Sequence, residues 1–191
     1  LDTAQTRTAI TSICRQLGYK MQGAFPAATD CLVSIPATLT YGVTLPKGFQ
    51  FQGPRGLTYE VSQTTDFQAS ETGGLVSKRI PCFEGSGVTE TFVSDGTANQ
   101  RFRLRRVSEG QFPVQNSAQV RISGVVWGER PYLEFGNEAQ VEVDYAGDPP
   151  SVLFGDGVAG AIPPAGASSS VTYRVCSGKG GRAERDSITD V

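Results

Sequence analysis

Leu153–Gly181 reads LFGDGVAGAIPPAGASSSVTYRVCSGKGG, and the rest of the chain is organised around it. An apolar run, Val152-Leu153-Phe154, enters a turn at Gly155-Asp156-Gly157. A loop rich in Gly and Pro follows, through Gly160, Pro163, Pro164 and Gly166. The chain then alternates, with Val171, Tyr173 and Val175 on one side and Thr172 and Arg174 on the other. That is strand, long turn, strand, and a glycine-rich exit at Gly178, Gly180 and Gly181. Nothing here has the pattern of a reacting group; the stretch reads as a rigid fastening.

The composition fits a strand-and-turn protein. Glycine fills 23 of 191 positions, well above the usual level of roughly 7%. The chain is long enough to bury a real core. Its net charge of −2 gives no general pull towards nucleic acid or an anionic membrane. No run approaches the roughly 20 apolar residues that a spanning helix needs. Leu1–Gly18 is polar, not a signal peptide, and the chain reads as a fragment of a longer one. Histidine is absent from the sequence, which removes His-dependent triads and zinc sites with His ligands. Cys14, Cys31, Cys82 and Cys176 lie far apart, with no Cys-x-x-Cys. Each sits beside apolar residues, so they read as buried free thiols in a reducing compartment.

Asp2-Thr3-Ala4-Gln5 has the form of a capping box. Ile10, Ile13, Cys14 and Leu17 fall at helical spacing and Gly18 supplies a stop. These signals predict a helix over Thr3–Leu17 whose apolar stripe covers one end of its own sheet; the alternative is a docking helix. Extended segments follow at Asp30–Thr40, Val43–Leu45, Phe49–Phe51, Leu57–Val61, Leu75–Phe83, Val88–Val93, Arg101–Val107, Gln119–Trp127 and Gln140–Tyr145. Thr64–Gly74 reads as a loop, Glu84-Gly85-Ser86-Gly87 as a turn, and Ser94-Asp95-Gly96-Thr97 as a hairpin-type turn. The fold class is therefore mainly β with one N-terminal helix: short antiparallel strands in layered sheets or small sandwiches. The expected organisation is 1–24 helix and connector, 25–93 first β subdomain and 94–191 second β subdomain, with a soft boundary near Gly85–Gly96.

Motifs that could carry chemistry fail on inspection. Gly155-x-Gly157-x-x-Gly160 matches a dinucleotide fingerprint by letter, but Pro163-Pro164 forbids the helix that fingerprint must open. Ser177-Gly178-Lys179-Gly180 has Tyr173 where a phosphate loop needs glycine, and no Ser or Thr after the lysine. Asp95, Asp148 and Asp156 read as turn carboxylates rather than calcium ligands. Glu134, Glu138, Glu142 and Asp144 are candidates for a glycosidase pair. Trp127 is read first as a core residue, next as an interface anchor, and last as a sugar-stacking platform with Tyr132 and Phe135. Arg101, Arg103 and Arg105 read as a solvated strand face, the alternative being contact with nucleic acid or an acidic partner surface. No catalytic, cofactor-binding or metal-binding residue is assigned.

The block Val152-Leu153-Phe154-Gly155-Asp156-Gly157, Gly160, Pro163-Pro164-x-Gly166, Val171-Thr172-Tyr173-Arg174 resembles a signature of baseplate-J-like proteins, wedge components of contractile phage tails and related injection machines. Ser94-Asp95-Gly96 with Asn99-Gln100-Arg101-Phe102-x-Leu104 is similar to the family's segment before its middle strands. Trp127, the turn Leu45-Pro46-Lys47-Gly48-Phe49 (Phe in place of the family's Thr) and the helix end Leu17-Gly18-Tyr19 also fit. One departure is Arg182-Ala183-Glu184 after Gly180-Gly181, where the family continues Gly-Asn-Val. The resemblance implies a non-enzymatic subunit of the tail baseplate, assembled in the host cytoplasm, whose partners are neighbouring baseplate proteins and copies of itself. A β-rich carbohydrate-binding module or glycosidase is the alternative.

Overall fold

The computed structural model describes residues 7–36, 42–68, 74–147 and 149–188. The capping box at Asp2–Gln5 and the turn residue Asp148 lie outside them. The chain forms two compact units: Leu1–Phe25 with Gly87–Val175, and Pro26–Ser86 with Cys176–Val191. The sequence boundary near Gly85–Gly96 is close to the crossing at Ser86–Gly87. Two parts of the expected division differ. The N-terminal segment joins the later unit, and the last residues return to the earlier one.

The helix α1 spans Arg7–Gln16. It ends as expected at Gly18 (φ +73°), where the N–H of Tyr19 donates to the carbonyl of Cys14 at 2.8 Å. Its stripe is covered only in part, with Ile13 and Cys14 half-buried and the two ends open, short of the expected burial. Leu17 is 79% exposed and Ile10 is also exposed.

In the unit built from Pro26–Ser86, β1 (Ala28–Pro36), β3 (Gln50–Gln52), β4 (Thr58–Val61) and β6 (Leu75–Glu84) form an antiparallel sheet in the order β1-β6-β4-β3. β1 is an edge strand whose Cys31, Val33 and Ile35 turn inward while their neighbours face out. β2 (Val43–Leu45) pairs with β5 (Thr65–Phe67) in a separate ribbon. Sequence reading missed β5, placing it in a loop. The strand is short, and only Phe67 of its residues is buried. Leu45, Phe51, Tyr59, Val61, Phe67, Ile80 and Cys82 make the core.

Glu84 is no turn residue. It closes β6, is buried, and its carboxylate accepts the N–H of Ser177 at 2.9 Å and 3.1 Å. The returning segment is held further by the hydroxyl of Tyr59, which donates to the carbonyl of Gly181 at 2.7 Å. Gly181 leaves room for that carboxylate, which a larger residue would have to displace. A Cβ would stand 2.2 Å from a Glu84 carboxylate oxygen.

In the other unit, β7 (Ser86–Val93), β8 (Arg101–Arg103), β9 (Phe112–Pro113), β10 (Gln119–Ile122), β11 (Val125–Arg130), β12 (Gln140–Asp144), β13 (Ser151–Phe154) and β14 (Ser168–Cys176) share one sheet. Its order is β7-β14-β10-β11-β12-β13-β8, with β9 on β14. The Ser123-Gly124 turn joins β10 to β11 with both residues at positive φ (+48° and +84°), the geometry that matches strand twist. Ser94–Thr97 is not a hairpin turn, because β7 pairs with β14 and β8 with β13. β11 and β12 run parallel, an exception to the antiparallel expectation. The sheet curls until its two end strands meet through side chains. Phe92 of β7 stacks on Phe102 of β8 at 4.3 Å between centroids. Glu90 of β7 accepts the N–H groups of Arg105 and Arg106 just beyond β8. Val120, Trp127, Val141, Val143, Val152, Phe154, Val171 and Tyr173 are among the residues that fill the interior.

Candidate interaction surface

The stretch after β13 is built from close backbone approaches. Phe154 is buried and meets Trp127 edge-on at 5.7 Å, which anchors the start of the loop. At Gly155 a Cβ would lie 2.1 Å from the carbonyl oxygen of Gly160, so only glycine fits. Asp156 accepts the N–H groups of Val158 and Ala159 at 2.8 Å each. These donors, Ala159 first, hold its carboxyl below the usual carboxylate range. Gly157 (φ +88°) donates to the carbonyl of Gly160 at 2.9 Å. The loop closes on itself before it touches anything else.

It is then sewn to two other loops. On one side, Gly160 donates to Gly136, Gly136 to Val158, and Ala161 to Glu138, each at 2.8 Å. The buried amide of Gln140 completes this seam, donating to the carbonyl of Glu134 at 2.6 Å. On the other side, Asn99 donates to the carbonyl of Gly155 and Phe154 to that of Gln100, both at 3.0 Å. The buried Ser94 donates its hydroxyl to Pro163 at 3.0 Å and accepts the N–H of Gly166 on its carbonyl at 2.8 Å. Asp95 acts within its own turn, accepting from Thr97 and from the amide of Gln100. Its carboxyl is held low, chiefly by the Thr97 hydroxyl.

On this framework stand Phe135, 90% exposed, and Val158, also exposed. Phe135 forms a backbone bridge to Ala159, the residue after Val158. Exposed Glu134, Glu138 and Asp156 lie in the same loops. Exposed apolar side chains on loops joined by backbone hydrogen bonds, with carboxylates in the same loops, have the make-up of an interface patch, in which apolar groups supply burial and charges set register.

The other sequence candidates fall elsewhere or serve the fold. Trp127 is a core residue, buried against Phe154, and does not join Tyr132 as a sugar platform. Tyr132 is exposed, with the Lys20 ammonium 5.3 Å from its ring centroid. Glu142 is ion-paired to Lys20 at 2.9 Å, while Glu134 and Glu138 sit in the surface loops and Asp144 is buried. Glu142 and Asp144 line one pocket together with Lys20, Arg101 and Tyr132, whereas Glu134 and Glu138 are not among its lining residues. Arg101, Arg103 and Arg105 face outward as expected. Residues 161–167 run irregularly from Gly160 into β14, so no helix opens at the fingerprint glycines. Gly178–Gly181 forms a 3-10 turn rather than a phosphate loop. Sequence reading missed Lys20, Glu84, Glu90 and Gln140. For Glu90 a signal existed, since it shares strand parity with Val88 and Phe92, both packed on the core.

No protein-family model matches the chain, and no curated protein matches it.

Proposed function

We propose that this chain is a structural subunit of a contractile-tail baseplate, of the baseplate-J-like kind its sequence resembles, acting by protein–protein assembly. The observation that carries this reading is the exposed Phe135 on a loop framework fixed by backbone hydrogen bonds. A large apolar side chain left in water on a rigid support adds affinity without an ordering cost at the moment of contact. The exposed Ile10 of α1 and Leu17 just past its end offer a further apolar surface in keeping with this reading. Trp127 is buried and is no stacking partner for the exposed Tyr132, which weighs against the sugar-binding alternative.

The test is mass in solution by light scattering over a roughly hundredfold concentration range, for the wild type and for Phe135→Asp/Val158→Asp. Interface cores lose affinity steeply when a charge is buried in them. The expected result is a defined assembly for the wild type that the double variant loses with its circular dichroism unchanged. A wild type that stays monomeric and is retained by a glycan surface would overturn the reading in favour of a carbohydrate-binding module.

A further inference from the structure

β1 carries an open backbone edge. Among the described residues it pairs with β6 alone. The N–H of Glu84 donates to the carbonyl of Ala27 at 2.8 Å, so Ala27 faces β6. Pro81 and Gly85 of the same chain face β4 instead, through Ser62 and Thr58. Bonding alternates along an antiparallel ladder, so Thr29, Cys31, Val33 and Ile35 also bond to β6. The N–H and C=O groups of Ala28, Asp30, Leu32 and Ser34 then point away from the sheet, with the C=O of Pro36. These five residues are all exposed.

Nothing blunts this edge. β1 is 9 residues long, whereas β3 at the opposite edge has 3. It holds no lysine, and its one proline is its last residue. Its register with β6 runs from Ala28 to Pro36 without a bulge. A cleft of about 940 Å³, lined by residues 26–32 and 182–188, leaves room beside the first half of the strand. A long edge without such protection is a template for another strand.

We propose that β1 pairs with β1 of a second copy of this chain, antiparallel about a two-fold axis at Leu32. The second copy is singled out because the edge is complementary to itself. With Leu32 opposite the partner's Leu32, Asp30 stands opposite the partner's Ser34 and Ala28 opposite the partner's Pro36. The first two pairs exchange both backbone bonds, and the N–H of Ala28 donates to the carbonyl of the partner's Pro36. The missing N–H of proline falls at the ends, where it costs least. The Ser34 hydroxyl shares a hydrogen bond with that of Ser77 at 2.7 Å. Two hydroxyls and one shared bond leave a proton to donate to the carboxylate of the partner's Asp30. Leu32, 66% exposed, is covered by its own copy. The exposed Leu75 and Phe83 fall in one apolar row, since Leu75 is opposite Pro36 and Phe83 opposite Ala28. Neighbouring registers lose this match. Centring on Cys31 sets Asp30 against leucine, centring on Val33 sets it against proline, and parallel pairing in register sets it against its own copy. The two-fold pairing closes on itself and uses no residue of the Phe135 patch.

The experiment follows amide hydrogen exchange of the full chain, residue by residue, by mass spectrometry with electron-transfer fragmentation. It spans an about hundredfold range of concentration, with mass read in parallel by light scattering. Thr29, Cys31, Val33 and Ile35 are expected to exchange slowly throughout. Ala28, Asp30, Leu32 and Ser34 are expected to exchange fast when dilute and to slow about tenfold or more as copies pair. Ser34→Asp, which opposes like charges, should weaken pairing about tenfold. Asp30→Ser/Ser34→Asp, which exchanges the two groups, should restore it. The proposal is overturned if the second set exchanges at one rate at every concentration, or if the exchanged variant pairs no better than Ser34→Asp. The slowing is expected to persist in folded Phe135→Asp/Val158→Asp, and its loss there overturns the proposal. A wild type that assembles without the slowing overturns the β1 pairing alone and leaves the reading of the Phe135 patch standing.

Discussion

The carboxylate of Glu90 accepts the hydroxyl of Tyr173 at 2.5 Å inside the curled sheet. The same carboxylate caps the N–H groups of Arg105 and Arg106 at 3.0–3.1 Å. One acidic side chain thus serves as the hydrogen-bond partner where β7 and the end of β8 come together without a backbone ladder. Glu90→Ala leaves these donors without their acceptor. Each orphaned buried donor costs roughly 1–3 kcal/mol, so a loss of about 3 kcal/mol is expected in denaturant unfolding. A change below about 0.5 kcal/mol, the size of an ordinary surface effect, would show that the carboxylate is dispensable.

Alkali is expected to destabilise the protein through its buried phenols. Tyr59, Tyr145 and Tyr173 are all held above the ordinary tyrosine value of 10.0, chiefly by burial. Neighbouring carboxylates add to the effect: Glu84 for Tyr59, Glu129 for Tyr145 and Glu90 for Tyr173. The raised folded values mean that this stability is fully present below pH 10. It is lost as pH rises further, because the unfolded chain ionises first. Ultraviolet titration should show these phenols ionising together with loss of the circular dichroism signal. Independent ionisation of the three in a still-folded chain contradicts this.

Acid acts on the loop after β13. The carboxyl of Asp156 is depressed by the N–H groups of Ala159 and Val158. Its contribution is present above the unfolded value, near 3.8, and is lost as pH falls through the lower folded value. Asp156→Ala should speed amide exchange at Val158 and Ala159 relative to wild type at neutral pH. Acidification should bring the wild type towards the variant. Equal exchange in the two proteins at neutral pH is the contrary outcome.

Gly155 and Gly166 separate two reasons for glycine. Gly155→Ala drives a methyl into the carbonyl of Gly160, and overpacking against backbone is expected to cost about 3 kcal/mol or more. Gly166 (φ +75°) has nothing within 4 Å of an added Cβ, so Gly166→Ala pays only backbone strain, about 1 kcal/mol. Thermal unfolding of both variants decides this, and equal costs would refute the close-approach argument.

Trp127 and Tyr132 make a similar contrast. Trp127→Ala opens a cavity beside Phe154 and should cost roughly 3–5 kcal/mol. Tyr132→Ala, at a side chain 58% exposed, should stay within about 0.5 kcal/mol. A tolerated Trp127→Ala would remove the tryptophan from the core.

Much of this architecture was legible in local chemistry. Gly124 announced the turn between β10 and β11, the alternation of Cys31, Val33 and Ile35 announced the inner face of β1, and Gly18 announced the end of α1. These depend on one or two residues and their own backbone. The Asp-Gly at Asp95-Gly96 misled because turn chemistry says that a chain bends, not which strands pair afterwards. The parallel pairing of β11 with β12 was invisible for the same reason: register is set by tertiary partners. Of the surface patch, Phe135 was singled out only as a companion to Trp127. Its exposure depends on a seam between loops distant in sequence. The role of Glu84 was hidden by its glycine-rich surroundings, since its partner Ser177 lies far along the chain.

The clasp between Glu84 and Ser177 bears on how the protein is made. One unit draws on Pro26–Ser86 and again on Cys176–Val191, with most of the other unit threaded between them. During synthesis the strands β1 to β6 leave the ribosome long before Ser177 exists, and Glu84 then has no N–H from Ser177 to receive it. Early collapse around that bare carboxylate is disfavoured. The unit that holds β1 to β6 therefore gains its last contacts only after the whole inserted stretch Gly87–Val175 has been made.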